Sequence, residues 1–448
     1  MNLKFLLSHT LEAYELLCSE ARPADAVLSE YLRARKYLGS HDRSFISETI
    51  YNLLRKELFL EAVVQKSAKG SSRPKSFKNV GVLYLFLLSD MDIERRALVD
   101  VFGEMASLAE PYFDALDAAY QAFTDTTKSK STPILFLEKH AFPEWMTEEL
   151  LKEFDEPTLQ LIYESLNKPA PLALRANSLK ISREALQKKL EKESIPTFLG
   201  KLSADALICK GRRRIIQSQC YQDGLCEIQD EGSQLISRLL DPKPKDTVLD
   251  ACAGGGGKTL HLAALMKNKG AIFAYDVNPK RFGNIRQRIK RSGQQNIRLL
   301  DSPEKLAQFK NDWHEKIDCL LIDAPCTGSG TVRRNPDLKK RLTKEALQRI
   351  TAQQAEILEE FSVLLKPNGK MLYATCSLFR DENEGQIESF LEKHPDFRLE
   401  PISSILENER HAAHAALQNK RFEGETYLKL RPDKDNTDGF FAAIFRKQ

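Results

Sequence analysis

Two cysteines in this 448-residue chain each stand just past an apolar run. Cys326 follows "DCLLID" (318–323) within "DAPCTGSGTVRRNPD", and Cys376 closes "GKMLYATC" (369–376) within "YATCSLFRDENEGQ". Both runs have the length and apolar content of buried strands. In an open α/β sheet, the carboxyl ends of the strands form the edge where ligands bind. If these two strands are neighbours, their backbones run about 4.8 Å apart and both thiols face one pocket. One cysteine alone reads as a small buried hydrophobe. Two at equivalent strand ends, beside a glycine-rich turn, read as chemistry.

That turn is "DACAGGGGKT" (250–259). A Walker phosphate loop would need glycine where Cys252 stands, and a dinucleotide GxGxxG begun at Gly254 would need glycine where Thr259 stands. An ATPase, with "CLLID" imitating a Walker B strand, is therefore the weaker alternative. What fits is a turn between strand and helix whose backbone approaches a ligand at the helix N-terminus, where free N–H groups favour a carboxylate as readily as a phosphate. The bland reading is a tight turn needed only for packing. Asp276, ending the next strand-like run, is spaced to accept hydrogen bonds from ribose hydroxyls. A ribose and a carboxylate on one ligand point to S-adenosylmethionine.

The chemistry that wants two thiols beside such a cofactor is methylation of a pyrimidine at carbon 5, a ring atom too electron-poor to attack a methyl sulfonium directly. One thiolate adds to carbon 6 and makes carbon 5 nucleophilic; after transfer, the carbon-5 proton must leave so that the thiolate can depart. Asp323 is near enough in sequence to donate a proton to the ring nitrogen, given a raised pKa. Lys258 can hold a thiolate ionised or can be a solvent-facing helix residue. Spacing alone does not decide which cysteine attacks.

Positioning these residues requires alternating elements. From residue 236 onward, "DTVLD" (246–250), "AIFAYD" (271–276), "IRLLD" (297–301) and the two runs above alternate with helical or long loop segments. That pattern predicts a doubly wound, mostly parallel Rossmann-like α/β domain over 236–448. The closing "DGFFAAIFRK" (438–447) is expected as an edge strand. Residues 1–130 show helical periodicity and predict a small all-α domain. "TDTTKSKSTP" (124–133) reads as a linker, and 134–235 as a small α+β module with a strand at "PLALRANS", a helix at "SREALQKKLEKES" and a strand at "ALICK". With 42% hydrophobic and 29% charged residues, the composition is that of a soluble globular protein, and the amphipathic start is no signal peptide. A cytoplasmic protein without membrane association is expected. No Cys/His spacing suits zinc, and no metal is expected. The net charge of +4 is mild, but "KGSSRPKSFK" (69–78), "KGRRR" (210–214), "KRFGNIRQRIKR" (280–291) and "LKKR" (338–341) concentrate it. Together they point to nucleic acid as partner, with Arg212, Arg213, Arg214, Arg333 and Arg334 as phosphate contacts.

These segments resemble the Sun family, the RsmB-type RNA cytosine-5 methyltransferases, over most of the chain. The likeness lies in "DACAGGGGKT", "DAPCTGSGTVRRNPD" and "YATCSLFRDENE", with "RANS", "IQDEGSQL" and "DGFFAAIFRK" also similar to family segments. It implies that Cys376 forms the covalent bond and Cys326 assists product release. It also implies that Cys252, Ala253, Gly254, Gly255, Gly256, Gly257 and Lys258, with Asp276, Asp301 and Asp323, line the cofactor and base site. "YLGSHDRSFISETIYNLLR" resembles a NusB-like RNA-binding domain, which favours small-subunit ribosomal RNA before full assembly over transfer RNA. One departure is Gly254-Gly255 where the family usually has Ala-Pro, which frees the turn that proline would hold. A catalytically silent RNA-binding assembly factor is the alternative that this departure favours and the two cysteines disfavour.

Overall fold

The computed structural model describes residues 2–67, 75–127, 140–211, 215–403, 422 and 424–448. Two compact units emerge, one of residues 1–169 with 332–344, the other of 170–331 with 345–448.

The first unit is helical. Its helices include Leu3–Ser19, Ala24–Ala34, Ser40–Ser67, Lys75–Asp90, Arg95–Ala106 and Glu110–Thr127. The long helix Ser40–Ser67 buries Ile46, Ile50, Leu53, Leu60 and Val64, a recurrence at three, four and seven that lays one apolar stripe against its neighbours. The Asn2 side chain accepts from Phe5 N at 3.2 Å and caps the first helix. Residues 124–127 of the expected linker continue the helix Glu110–Thr127, and the remainder to 133 lies outside the described residues. The segment 332–344 packs into this unit: Lys339 Nζ donates to Arg55 O and Asn167 Oδ1, each at 2.6 Å, and Lys340 pairs with Glu57 at 2.7 Å.

The second unit holds two sheets. β1 (Ala173–Ala176), β2 (Thr197–Leu199), β3 (Ala206–Cys209) and β4 (Cys226–Ile228) form an antiparallel sheet in the order β2-β3-β1-β4, with the helix Arg183–Lys192 against it. The larger sheet contains β5 (Thr247–Asp250), β6 (Ala271–Ala274), β7 (Ile297–Leu299), β8 (Ile317–Asp323), β9 (Leu365–Thr375), β10 (Phe397–Glu400), β11 (Leu428–Leu430) and β12 (Phe440–Lys447). Its path is β10-β12-β9-β8-β5-β6-β7, with β11 paired to β12. β5 through β9 are parallel, and the order reverses between β5 and β8, which opens a crevice at their carboxyl ends. β8 reads Ile-Asp-Cys-Leu-Leu-Ile-Asp, buried on both faces as a central parallel strand must be.

The expectation of an edge strand at 438–447 is corrected: β12 is inserted between β9 and β10 and pairs antiparallel with both. Its apolar residues are buried on both faces, which suits an interior position. Among the described residues no helix is long and apolar enough to cross a membrane.

Candidate active site

Four carboxylates and a cysteine mark the carboxyl ends of the five parallel strands: Asp250 on β5, Asp276 beyond β6, Asp301 beyond β7, Asp323 on β8 and Cys376 beyond β9. Neighbouring β8 and β9 run in register with Asp323 beside Ala374. The Sγ atoms of Cys326 and Cys376 lie 3.3 Å apart, both thiols free, and the Cys376 N–H points at the Cys326 sulfur at 3.4 Å. Cys326 is pushed well above the ordinary thiol range by its hydrogen bond to Cys376, by burial and by the Glu382 carboxylate.

The glycine loop connects β5 to the helix Gly257–Leu265. Gly256 takes the left-handed conformation at φ 79°, and a Cβ there would come within 3.2 Å of Ile285, so glycine is required. Gly254 is also left-handed, at φ 56°, and its N–H donates to Asp276 Oδ2 at 2.8 Å. The nearest atom to a Cβ on Gly254 would be 3.6 Å away, which leaves this backbone bare. Thr259 Oγ1 donates to Asp250 Oδ2 at 2.6 Å, while the buried Asp250 Oδ1 has no hydrogen-bond partner. Burial pushes the Asp250 carboxyl up to about 7. A bare glycine backbone, the first N–H groups of a helix, and Asp276 at the next strand end are the donors and acceptor that a carboxylate and a ribose require. These residues fit S-adenosylmethionine.

Lys258 Nζ donates to Asp323 Oδ2 at 2.6 Å. Burial opposes the charge on Lys258, but Asp323, Cys376 and Asp250 more than restore it and its pKa is raised. Its side chain is 11% exposed, so Lys258 is not the solvent-facing helix residue that sequence left open. Burial and the carboxylates of Asp250, Asp323 and Asp276 push the Cys252 thiol well above the ordinary range. Ala253 anchors that loop through its N–H to Tyr275 O at 2.8 Å. Asp301 pairs with Arg286 and, at 2.6 Å, with Lys305.

Residues without a role in the sequence reading also converge here. Arg175 in "RANS" is buried on β1; its guanidinium donates to Gly257 O at 2.7 Å and to Gln229 Oε1. Arg288 donates to Gly255 O and to Glu227 Oε2 on β4, at 2.9 Å from the latter. Two guanidinium groups thus grip carbonyls of the glycine loop. An arginine inside a run flanked by apolar residues was the available signal for Arg175.

The basic runs are in large part committed to internal carboxylates. Arg281 pairs with Asp276, and Arg288 and Arg291 with Glu227. Arg333 is corrected as a phosphate contact, since it is 2% exposed and packed in the helical unit. Arg212, Arg213 and Arg214 lie outside the described residues.

Comparison with known proteins identifies the family. Residues 237–446 match the family described as 16S rRNA methyltransferase RsmB/F, and 142–215 match the RsmF/B-like ferredoxin-like domain. A Shewanella oneidensis protein named ribosomal RNA small subunit methyltransferase B is 30% identical over 68% of this chain and 67% of its own length. The chain belongs to the RsmB/F methyltransferase family. A Bacillus subtilis relative, named a probable ribosomal RNA small subunit methyltransferase B, is 28% identical over 98% of both chains. The solved structure of a methyltransferase homolog from Pyrococcus horikoshii, 30% identical, superposes with a TM-score of 0.59 over 71% of this chain and all of that one. As a member of the RsmB/F family, the protein uses S-adenosylmethionine as its methyl donor.

Proposed function

We propose that the protein methylates carbon 5 of a cytosine in small-subunit ribosomal RNA, before full ribosome assembly, through a covalent adduct with Cys376. The 3.3 Å approach of two free thiols at neighbouring strand ends carries this reading. Relatives named small-subunit ribosomal RNA methyltransferases support the substrate.

The raised pKa of Cys326 keeps its thiol protonated beside Cys376, which leaves Cys376 as the nucleophile of the pair. Within reach of the Lys258 ammonium, the Cys376 thiolate adds to carbon 6 of the extruded base, and its electron pair forms the S–C bond. A proton held in the Lys258–Asp323 hydrogen bond passes to the ring nitrogen. When bound, S-adenosylmethionine supplies an electrophilic methyl group to carbon 5; the 252–258 loop, Asp276 and Asp301 would hold it. Once Cys376 is an uncharged thioether, Cys326 releases its proton to solvent and the ring nitrogen returns its own to the Lys258–Asp323 pair. The Cys326 thiolate then takes the carbon-5 proton, the C5–C6 double bond re-forms, and the Cys376 thiolate departs.

Incubation of protein, radiolabelled S-adenosylmethionine and undermodified small-subunit RNA tests the reading. Cys376→Ala should transfer no label and form no adduct. Cys326→Ala should accumulate a denaturant-resistant protein–RNA complex. Exchanged behaviour of the two variants would refute the assignment of roles.

A further inference from the structure

Glu382 is fully buried at the end of the short turn Arg380–Glu382, between the two cysteine loops. Its Oε1 accepts from Thr327 N at 2.8 Å and from Gln354 Nε2 at 3.0 Å. Its Oε2 accepts from Thr327 Oγ1 at 2.5 Å and from Ser377 Oγ. These four bonds use the full acceptor capacity of a carboxylate. Thr327 directly follows Cys326, and Ser377 directly follows Cys376. Gln354 also donates to Pro325 O at 2.9 Å, so both chain neighbours of Cys326 are tied to one point. On the other loop, Asn383 accepts from Thr375 Oγ1 at 2.5 Å and donates to Ser377 O at 3.0 Å, which fastens both neighbours of Cys376.

All four donors to Glu382 are uncharged. Burying a carboxylate among neutral donors stabilises a fold less than apolar packing of the same volume, so stability alone does not account for the residue. We propose that Glu382 is a positioning residue of the cysteine pair, a clamp that locks the Cys326 loop against the Cys376 loop and fixes the separation of the two sulfurs. It rests on reading that pair as the reacting thiols. The same carboxylate adds to the forces that keep Cys326 protonated while Cys376 attacks.

Thiol oxidation in the full-length protein tests the clamp apart from methylation. Diamide takes two electrons and two protons from a close thiol pair, becoming the hydrazine and leaving a disulfide that peptide mapping assigns. The wild-type protein should form a reversible Cys326–Cys376 link. Glu382→Gln keeps the shape of the group, and the hydroxyls facing it can turn, so it should link within about 3-fold of the wild-type rate. Glu382→Ala should link about 10-fold more slowly, with S-adenosylmethionine affinity unchanged by calorimetry. Its kcat for methyl transfer should fall about 100-fold while the cofactor KM holds. Linking of Glu382→Ala at the wild-type rate, or a wild-type kcat in that variant, overturns the proposal. If Glu382→Ala does not fold, Ser377→Ala removes one of the four bonds to Glu382, together with the hydroxyl's contacts to Thr327, Ser329 and Phe379 N, and should slow linking by about 3-fold; an unchanged rate there counts equally against the clamp. A wild-type protein that methylates no cytosine would sink the functional reading and leave the oxidation test standing.

Discussion

Lys258 illustrates how a side chain acquires a role from its surroundings. Its ammonium is nearly enclosed, hydrogen-bonded to Asp323 and within the field of Cys376. Lys258→Gln keeps a donor in place but removes the charge. It should lower kcat/KM about 100-fold and slow alkylation of Cys376 by iodoacetamide at neutral pH, with Cys326→Ala as background to isolate the one sulfur. The cysteines were legible because strand ends are legible: an apolar run followed by Pro-Cys or Thr-Cys fixes where the thiol emerges. Glu382 was not legible. In "RDENE" it reads as one more solvated charge, and only the closure of two loops distant in sequence buries it.

At the level of elements, the glycine loop owes its shape to strands outside its own sheet. Arg175 on β1 and Glu227 on β4, through Arg288, hold the carbonyls of Gly257 and Gly255. A loop with two consecutive glycines at 254 and 255 has much backbone freedom to lose, and these grips restrict it beforehand. Arg288→Gln should therefore raise the KM for S-adenosylmethionine about 10-fold with little change in kcat, a split that steady-state kinetics resolves. The central strands were readable from periodicity because parallel strands buried on both faces are nearly continuous apolar runs. β10 and β11 escaped notice, being three or four residues long with charges among them. The length of the apolar run in β12 was the signal for an interior strand, and an end-of-chain position outweighed it in the sequence reading.

Across the molecule, buried ionisable groups set how the units respond to acid and to truncation. His261 is buried with Nε2 3.0 Å from Asp205 Oδ2, and burial with the nearby Arg175 charge lowers its pKa to about 3. In the unfolded chain it regains an ordinary value near 6.5. The folded state thus binds fewer protons in this window, so His261 contributes stability that is full above about pH 6.5 and is lost as pH falls toward 3, at about 1.4 kcal/mol per pH unit. His261→Gln should flatten the urea midpoint of the catalytic unit between pH 6.5 and 4.5, followed by tryptophan fluorescence. In the helical unit, Lys339→Ala would remove the hydrogen bonds to Arg55 O and Asn167 Oδ1, at a cost of about 1–3 kcal/mol seen as a lower melting temperature. RNA affinity should fall steeply with added salt, as phosphate contacts require.

The residues after Thr331 leave the catalytic unit, are built into the helical one, and return at Glu345. Linear order along the polypeptide therefore misreports modularity. A catalytic fragment begun at residue 170 would carry 332–344 as an orphan, with the buried Lys339 side chain thrust into solvent and its former hosts discarded. Anyone dividing this protein for crystallisation or swapping its N-terminal half with that of a relative must exchange the excursion too, or accept a chimera frayed a few residues from Cys326.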